Sequence, residues 1–212
     1  MTSTFKQFIE DIAKQKAPGP STTFTISHIF YALELMADKP IGRKKLAKKL
    51  DVGEGAIRTI INRLKDADLI ETSKEGCNLT SKGFSVWRNF EKHFPKRLEI
   101  GNTDLTKSEH NYAFIVKNSG HKVTSGIEQR DAAIVAGATR AIIIVSKSGH
   151  LTIQSVTNSL EKEFPKTAEQ IFKETQPEEN DVIIIVGANV AHKAKHAAFA
   201  ASWSLVDDDN CE

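Results

Sequence analysis

The chain has 212 residues, of which 40% are hydrophobic and 26% charged, with a formal net charge of +2. These values suit a globular chain with room for one large or two small domains, and exclude a disordered or fibrous protein. No run of about 18 apolar residues is available to cross a bilayer, and the N-terminus MTSTFKQFIED has acids where a secretory signal has its apolar segment, so a cytoplasmic protein is expected. The small net charge hides a division. Residues 1–98 hold 18 Lys and Arg against 11 Asp and Glu, a net of +7, and residues 99–212 hold 11 against 16, a net of −5. The first half is therefore expected to meet a polyanion. Cys77 and Cys211 fit neither a disulfide framework nor a zinc-finger spacing and read as reduced thiols.

From Thr4 to Lys16, Phe5, Phe8, Ile9, Ile12 and Ala13 form a helical apolar stripe, stopped by Ala17-Pro18-Gly19-Pro20. This helix either caps the first domain or pairs with a second subunit. Thr25 and Ser27 offer caps to the next helix, whose Ile29, Phe30, Leu33 and Ala37 face a core, with His28 and Tyr31 packed beside them. Lys39-Pro40-Ile41-Gly42 ends it and predicts a short strand.

Gly42 to Leu69 holds two short helical patterns joined by the turn Asp51-Val52-Gly53-Glu54-Gly55. In the first, Leu46, Ala47 and Leu50 face inward and Arg43, Lys44, Lys45, Lys48 and Lys49 outward. In the second, Ile57, Ile60, Ile61 and Leu64 recur at i, i+3, i+4 and i+7, one apolar stripe. The other side carries Gly55, Thr59, Asn62 and Asp66, flanked by Arg58 and Arg63. Arg pairs bidentately with guanine and Asn with adenine, while Thr and Arg also reach phosphates, so this face suits a DNA groove. Two short helices at this spacing predict a helix-turn-helix. Leu69 to Thr72 and Cys77 to Thr80 then predict a hairpin, with Lys74 at its tip.

DADLIETS and NLTSKG, directly after the second helix, resemble the hairpin segments of winged helix-turn-helix regulators of bacteria and archaea. The resemblance covers residues 24–94 and implies binding to double-stranded DNA through Arg43, Lys44, Lys45, Lys48, Lys49, Glu54, Gly55, Arg58, Thr59, Asn62, Arg63 and Lys74. After the hairpin, Phe84, Trp87, Phe90 and Phe94 recur on one helical side; they serve either as core or as a homodimer interface that would match two half-sites. The first domain accordingly spans residues 1–95.

Residues 96–110 are polar with little period and read as a linker. Residues 111–206 then alternate: strand Tyr112–Val116, helix Gly126–Ala136, strands Arg140–Ser146 and Leu151–Gln154 around the turn Lys147–His150, a helical region from Val156 to Thr175 interrupted near Pro165, strand Asp181–Val186 and helix Asn189–Leu205. This order predicts a ferredoxin-like βαββαβ unit with one added helix, within an overall α+β architecture. An open α/β sheet with parallel pairs is the alternative, because two strands are apolar throughout. Residues 207–212 form an acidic tail.

The second half contains no phosphate loop, dinucleotide fingerprint, zinc-protease motif or nucleophile elbow, so no enzyme and no cofactor are expected. Ser125, Gly126, Gln129, Arg130 and Asp131 open a helix and are candidates for holding an anionic effector, or else form a capped surface helix. Gly187 and Asn189, where a buried strand enters a helix, are candidates for a ligand crevice or for a tight turn. His192 and His196 share one helix face but make an incomplete metal site, flanked by Lys193 and Lys195. GIEQRDAAI (126–134) and the DVIII strand resemble an archaeal two-domain group with an uncharacterised C-terminal α/β domain. The resulting expectation is a DNA-binding, homodimeric regulator that senses a small molecule. A winged protein-assembly module and a small-molecule enzyme tethered to DNA are the alternatives.

Overall fold

The computed structural model describes residues 4–14, 23–154 and 156–207. The predicted stop at Ala17–Pro20, Cys211 and most of the acidic tail lie outside them. The chain divides between Phe90 and Glu91 into two compact units.

In the first unit, α1 (Phe5–Ala13) begins with a capping box: the Thr4 hydroxyl accepts the Gln7 N–H at 3.2 Å, and the Gln7 side chain accepts the Thr4 N–H. Its Phe5, Ile9 and Ile12 are buried, so α1 caps this domain. Helix α2 (Ile26–Asp38) supplies Ile29, Phe30 and Leu33, and the Phe30 ring meets Trp87 and Phe90 at 5.5 and 4.9 Å. Helix α3 (Arg43–Leu50) ends where Asp51 turns left-handed at φ 53°, and α4 (Glu54–Asp66) follows. The hairpin pairs β1 (Ile70–Thr72) with β2 (Cys77–Leu79), antiparallel. Ile41 extends it: its N–H donates to the Cys77 carbonyl at 3.1 Å and its carbonyl accepts the Cys77 N–H at 2.9 Å, as the predicted short strand requires. Gly76, at φ 135°, allows this closure, since a Cβ there would lie 2.5 Å from the Ile41 carbonyl carbon.

Helix α5 (Ser81–His93) buries Trp87 and Phe90 in the first unit's core and leaves Phe84 43% exposed. Phe94, just past the helix and itself in the second unit, packs there against Phe114 and Phe199 at 5.6 and 6.0 Å. The expected dimerisation stripe is thus largely spent on cores within the chain.

The second unit is one five-stranded sheet, ordered β3-β4-β7-β5-β6, in which every neighbouring pair is antiparallel. The strands are β3 (Lys96–Ile100), β4 (His110–Val116), β5 (Arg140–Lys147), β6 (His150–Thr152) and β7 (Val182–Ala188). Helices α6 (Ile127–Val135) and α9 (Ala191–Trp203) pack on each other, α6 over β5 and α9 over β4 and β7. Short α7 (Leu160–Glu163) and α8 (Pro165–Thr175) contribute Leu160, Ala168 and Ile171 to a core with Ala113, Ile115, Ile183 and Ile185. Because side chains alternate across a strand, Ile184 and Val186 point away from that cluster. All of β7 is buried, which explains its unbroken apolar run.

Three expectations need correction. Residues 96–110 are not simply a linker: Lys96–Ile100 is an edge strand on β4 whose Leu98 and Ile100 pack on the core, while Arg97 and Glu99 alternate with them. The element order of a ferredoxin-like unit is present, but in that fold the third strand fills the gap left by the first crossover. Here the last strand, β7, lies between β4 and β5. No neighbouring pair is parallel, so the alternative sheet is also set aside. The hairpin turn between β5 and β6 is the predicted Lys147–His150: Lys147 pairs with His150 around Ser148-Gly149, both at positive φ (52° and 76°), the geometry that matches strand twist. No helix among the described residues is long and apolar enough to cross a membrane.

Candidate nucleic-acid interface

Burial sorts the candidate residues of the first domain. On α3, Leu46 and Leu50 are buried, whereas Arg43, Lys44, Lys45, Lys48 and Lys49 are exposed. On α4, Ile57, Ile60, Ile61 and Leu64 are buried, and Glu54, Gly55, Arg58, Thr59 and Asn62 are exposed. The Thr59 hydroxyl donates to the Gly55 carbonyl at 3.0 Å, so it is turned onto the helix backbone. Lys74 is exposed in the turn that Ser73 and Gly76 close with a 2.8 Å hydrogen bond.

Arg63 departs from the predicted face. It is 7% exposed, and its Nη1 donates to the carbonyls of Ile12 and Ala13, each at 2.9 Å. Its guanidinium lies 5.0 Å from the centroid of the Phe24 ring. Those carbonyls belong to the last turn of α1, where acceptors have no partner within the helix itself, so Arg63 is a helix clamp and is withdrawn from the groove-facing set. Lys65, one turn beyond Asn62 and exposed, was overlooked on sequence; its basic side chain on the flank of Arg58 was the available signal. Cys77 is buried in strand β2 of the hairpin, where burial pushes its thiol up against the weaker opposite pull of Lys65.

The second domain does not assemble the predicted effector residues into one cradle. The Ser125 hydroxyl accepts the Ile127 N–H at 3.4 Å, and Gly126 takes φ 74° with Ile143 close against it. Gln129 turns inward, 3% exposed, donating to the Ser204 hydroxyl at 3.1 Å; Arg130 and Asp131 turn outward and bond each other at 3.2 Å. The helix period itself separates Gln129 from Arg130 and Asp131, which favours the capped-surface-helix alternative. Gly187 sits inside β7, its carbonyl accepting both the N–H and the hydroxyl of Thr139 at 2.8 and 2.9 Å, and a Cβ there would fall 2.3 Å from the Ser108 Oγ. That close packing accounts for the glycine. Asn189 is exposed in the following turn.

A cleft of about 130 Å³ does open beside the end of β7, but its walls come from Glu99, Glu109, His110, Tyr112 and Ala191. His192 is exposed and His196 half-buried, and among the described residues no group of three or more His, Cys, Asp and Glu side chains is placed to hold a metal ion.

Comparison with known proteins agrees with this division. Residues 25–85 match the PH0730-like N-terminal domain, and residues 107–205 match a domain of unknown function, DUF4443. The hypothetical protein PH0730 from Pyrococcus horikoshii OT3 superposes with a TM-score of 0.69 at 27% identity, over 86% of this chain and 92% of that one. The chain is similar to PH0730 through both domains. Its fold is a winged helix followed by a mixed α/β domain. ZitR from Lactococcus lactis aligns with 39% of this chain and 59% of its own, at 23% identity and a TM-score of 0.30, too distant to carry an argument. No curated protein matches the chain.

Proposed function

We propose that this protein is a cytoplasmic, DNA-binding transcriptional regulator whose α/β domain responds to a small-molecule effector and carries no catalytic activity. The observation that carries the reading is the outer face of α4. Arg58 and Thr59 stand exposed with Asn62 about one turn further on, opposite a buried apolar stripe, while the neighbouring α3 exposes a run of basic side chains. Arg58 and Asn62 supply base contacts; Lys44, Lys45, Lys48 and Lys49 supply phosphate contacts, and Lys74 reaches the backbone from the wing. The match to a PH0730-like N-terminal domain supports the winged-helix half of this reading.

The regulator acts as a homodimer, so that two copies of α4 meet two half-sites about one turn of DNA apart. Effector binding shifts the population between DNA-competent and incompetent arrangements. The test is selection of duplexes from a random-sequence pool, repeated with Arg58→Ala and Asn62→Ala. Each substitution is expected to relax preference at one base position, costing about 1 to 3 kcal/mol there. Unchanged preference in both variants would overturn the assignment of α4. Sedimentation of the full chain checks the dimer. Thermal unfolding against a panel of metabolites, nucleotides and divalent metals checks the effector, since a ligand at about 100 times its dissociation constant stabilises its domain by about 2.7 kcal/mol.

A further inference from the structure

Gly55 has no task inside the protein. It lies in the first turn of α4 with ordinary right-handed backbone, and a Cβ built on it meets nothing within 4 Å. The other glycines in the described residues have evident reasons, apart from Gly101, which lies in the loop after β3 and not in a helix, with only the Gln170 Nε2 near its Cβ position, at 3.8 Å. Gly83, also in a helix, would drive a Cβ to 2.0 Å from the Leu69 carbonyl oxygen, and at Gly120 and Gly187 a Cβ would fall 2.6 and 2.3 Å from its nearest neighbour. Gly76, Gly126, Gly137 and Gly149 have positive φ. Gly42 and Gly53 are open but are the residues preceding α3 and α4, where glycine is well tolerated. At Gly55 alanine would fit the space and favour the helix, because glycine gives up more chain entropy there.

The surroundings of Gly55 face outward. Glu54, Arg58 and Thr59 beside it are exposed, and the Thr59 hydroxyl is folded back onto the Gly55 carbonyl at 3.0 Å. The helix surface is therefore low along Gly55 and Thr59, with Arg58 and Asn62 rising beside it. A glycine without a packing role, set in a low strip beside two groups suited to base edges, fits the close approach of another molecule to the helix backbone.

We propose that Gly55 is a contact residue of the DNA interface: its missing side chain lets the backbone of α4 press against duplex DNA, and this sets how deeply Arg58 and Asn62 enter the groove. The inference rests on the DNA-binding reading above. Any side chain at Gly55 holds the helix away, so both base-reading residues lose reach together.

The full chain is used to enrich duplexes from a random-sequence pool, and the enriched duplex becomes the probe for fluorescence anisotropy. Gly55→Ala, Gly55→Gln and Arg58→Ala are compared with the parent, each with its melting temperature. The expected result is an unchanged or raised melting temperature for Gly55→Ala with binding weakened several-fold, and about a tenfold or greater loss for Gly55→Gln. Parent-like affinity in Gly55→Ala and in any folded Gly55→Gln, while Arg58→Ala is weakened, overturns the role of Gly55 and leaves the DNA reading standing. A lowered melting temperature in Gly55→Ala also overturns it, because the glycine would then serve the fold. If the parent enriches no duplex, the DNA reading itself fails and this inference with it.

Discussion

Replacing Arg63 by alanine separates folding from recognition on a single helix. Arg63 gives two hydrogen bonds from one charged nitrogen to the carbonyls of Ile12 and Ala13, and lays its guanidinium on Phe24. Hydrogen bonds from charged donors contribute about 1.5 to 3 kcal/mol each, and a largely buried cation–π contact about 1. Water recovers part of this once the side chain is gone, so the expected loss is about 3 kcal/mol. For a domain of this size that corresponds to a fall of about 12 °C or more in melting temperature. Arg58→Ala, at an exposed position, should change stability by no more than about 0.5 kcal/mol. Arg63→Lys keeps the charge but lacks the fork that reaches both carbonyls, and should fall between the two. Calorimetry on the three variants measures stability, and DNA affinity is read at a temperature where all are folded. If Arg63→Ala kept its melting temperature and lost DNA affinity as Arg58→Ala does, the clamp assignment would be refuted and Arg63 would return to the recognition face.

Burial pushes the Glu161 carboxyl up, but the N–H groups of Leu151 and of Glu161 itself, the Ser159 hydroxyl and His150 outweigh it and hold it below the usual range. Its stabilisation is therefore present above the ordinary carboxylate value and disappears as pH falls through the lowered folded-state value; Glu161→Gln should flatten that part of a stability-versus-pH curve. Gly187→Ala should cost about 1 to 3 kcal/mol by overpacking against Ser108, and a second change, Ser108→Ala, should recover part of it in a denaturant melt. Lys48→Ala should weaken binding to every duplex sequence alike and reduce the salt slope by about 1; a selective effect at one base would reassign the residue.

The winged domain was legible because its evidence is periodic. The stripe Ile57, Ile60, Ile61 and Leu64 identifies both the inner and the outer side of α4, and the hairpin follows from two short strands around Ser73–Gly76. Arg63 was misplaced for a physical reason: it borders that stripe on the helical wheel, and only the packing of α1 and Phe24 decides whether the flank is wet or covered. The second domain shows the complementary limit. Apolar runs locate β4, β5 and β7, but a period of two identifies faces and not neighbours, so the position of β7 between β4 and β5 is absent from the pattern. Strand β3 escaped notice because an edge strand with one half-buried face keeps Lys96, Arg97 and Glu99 among its five residues.

The same distinction explains why a DNA face can be read from this chain and an effector site cannot. A recognition helix presents its chemistry along one continuous segment, so Arg58 and Asn62 fall together by spacing alone. The cleft beside β7 is built from the end of β3, the start of β4 and the first turn of α9, which bring Glu99, His110 and Ala191 together across more than half of the second unit. Such a site exists only after the strand order is set. The ligand candidates chosen by local pattern, Gln129 with Arg130 or Gly187 with Asn189, were therefore drawn from contiguous turns, and tertiary packing then assigned Gln129 to Ser204 and Gly187 to Ser108.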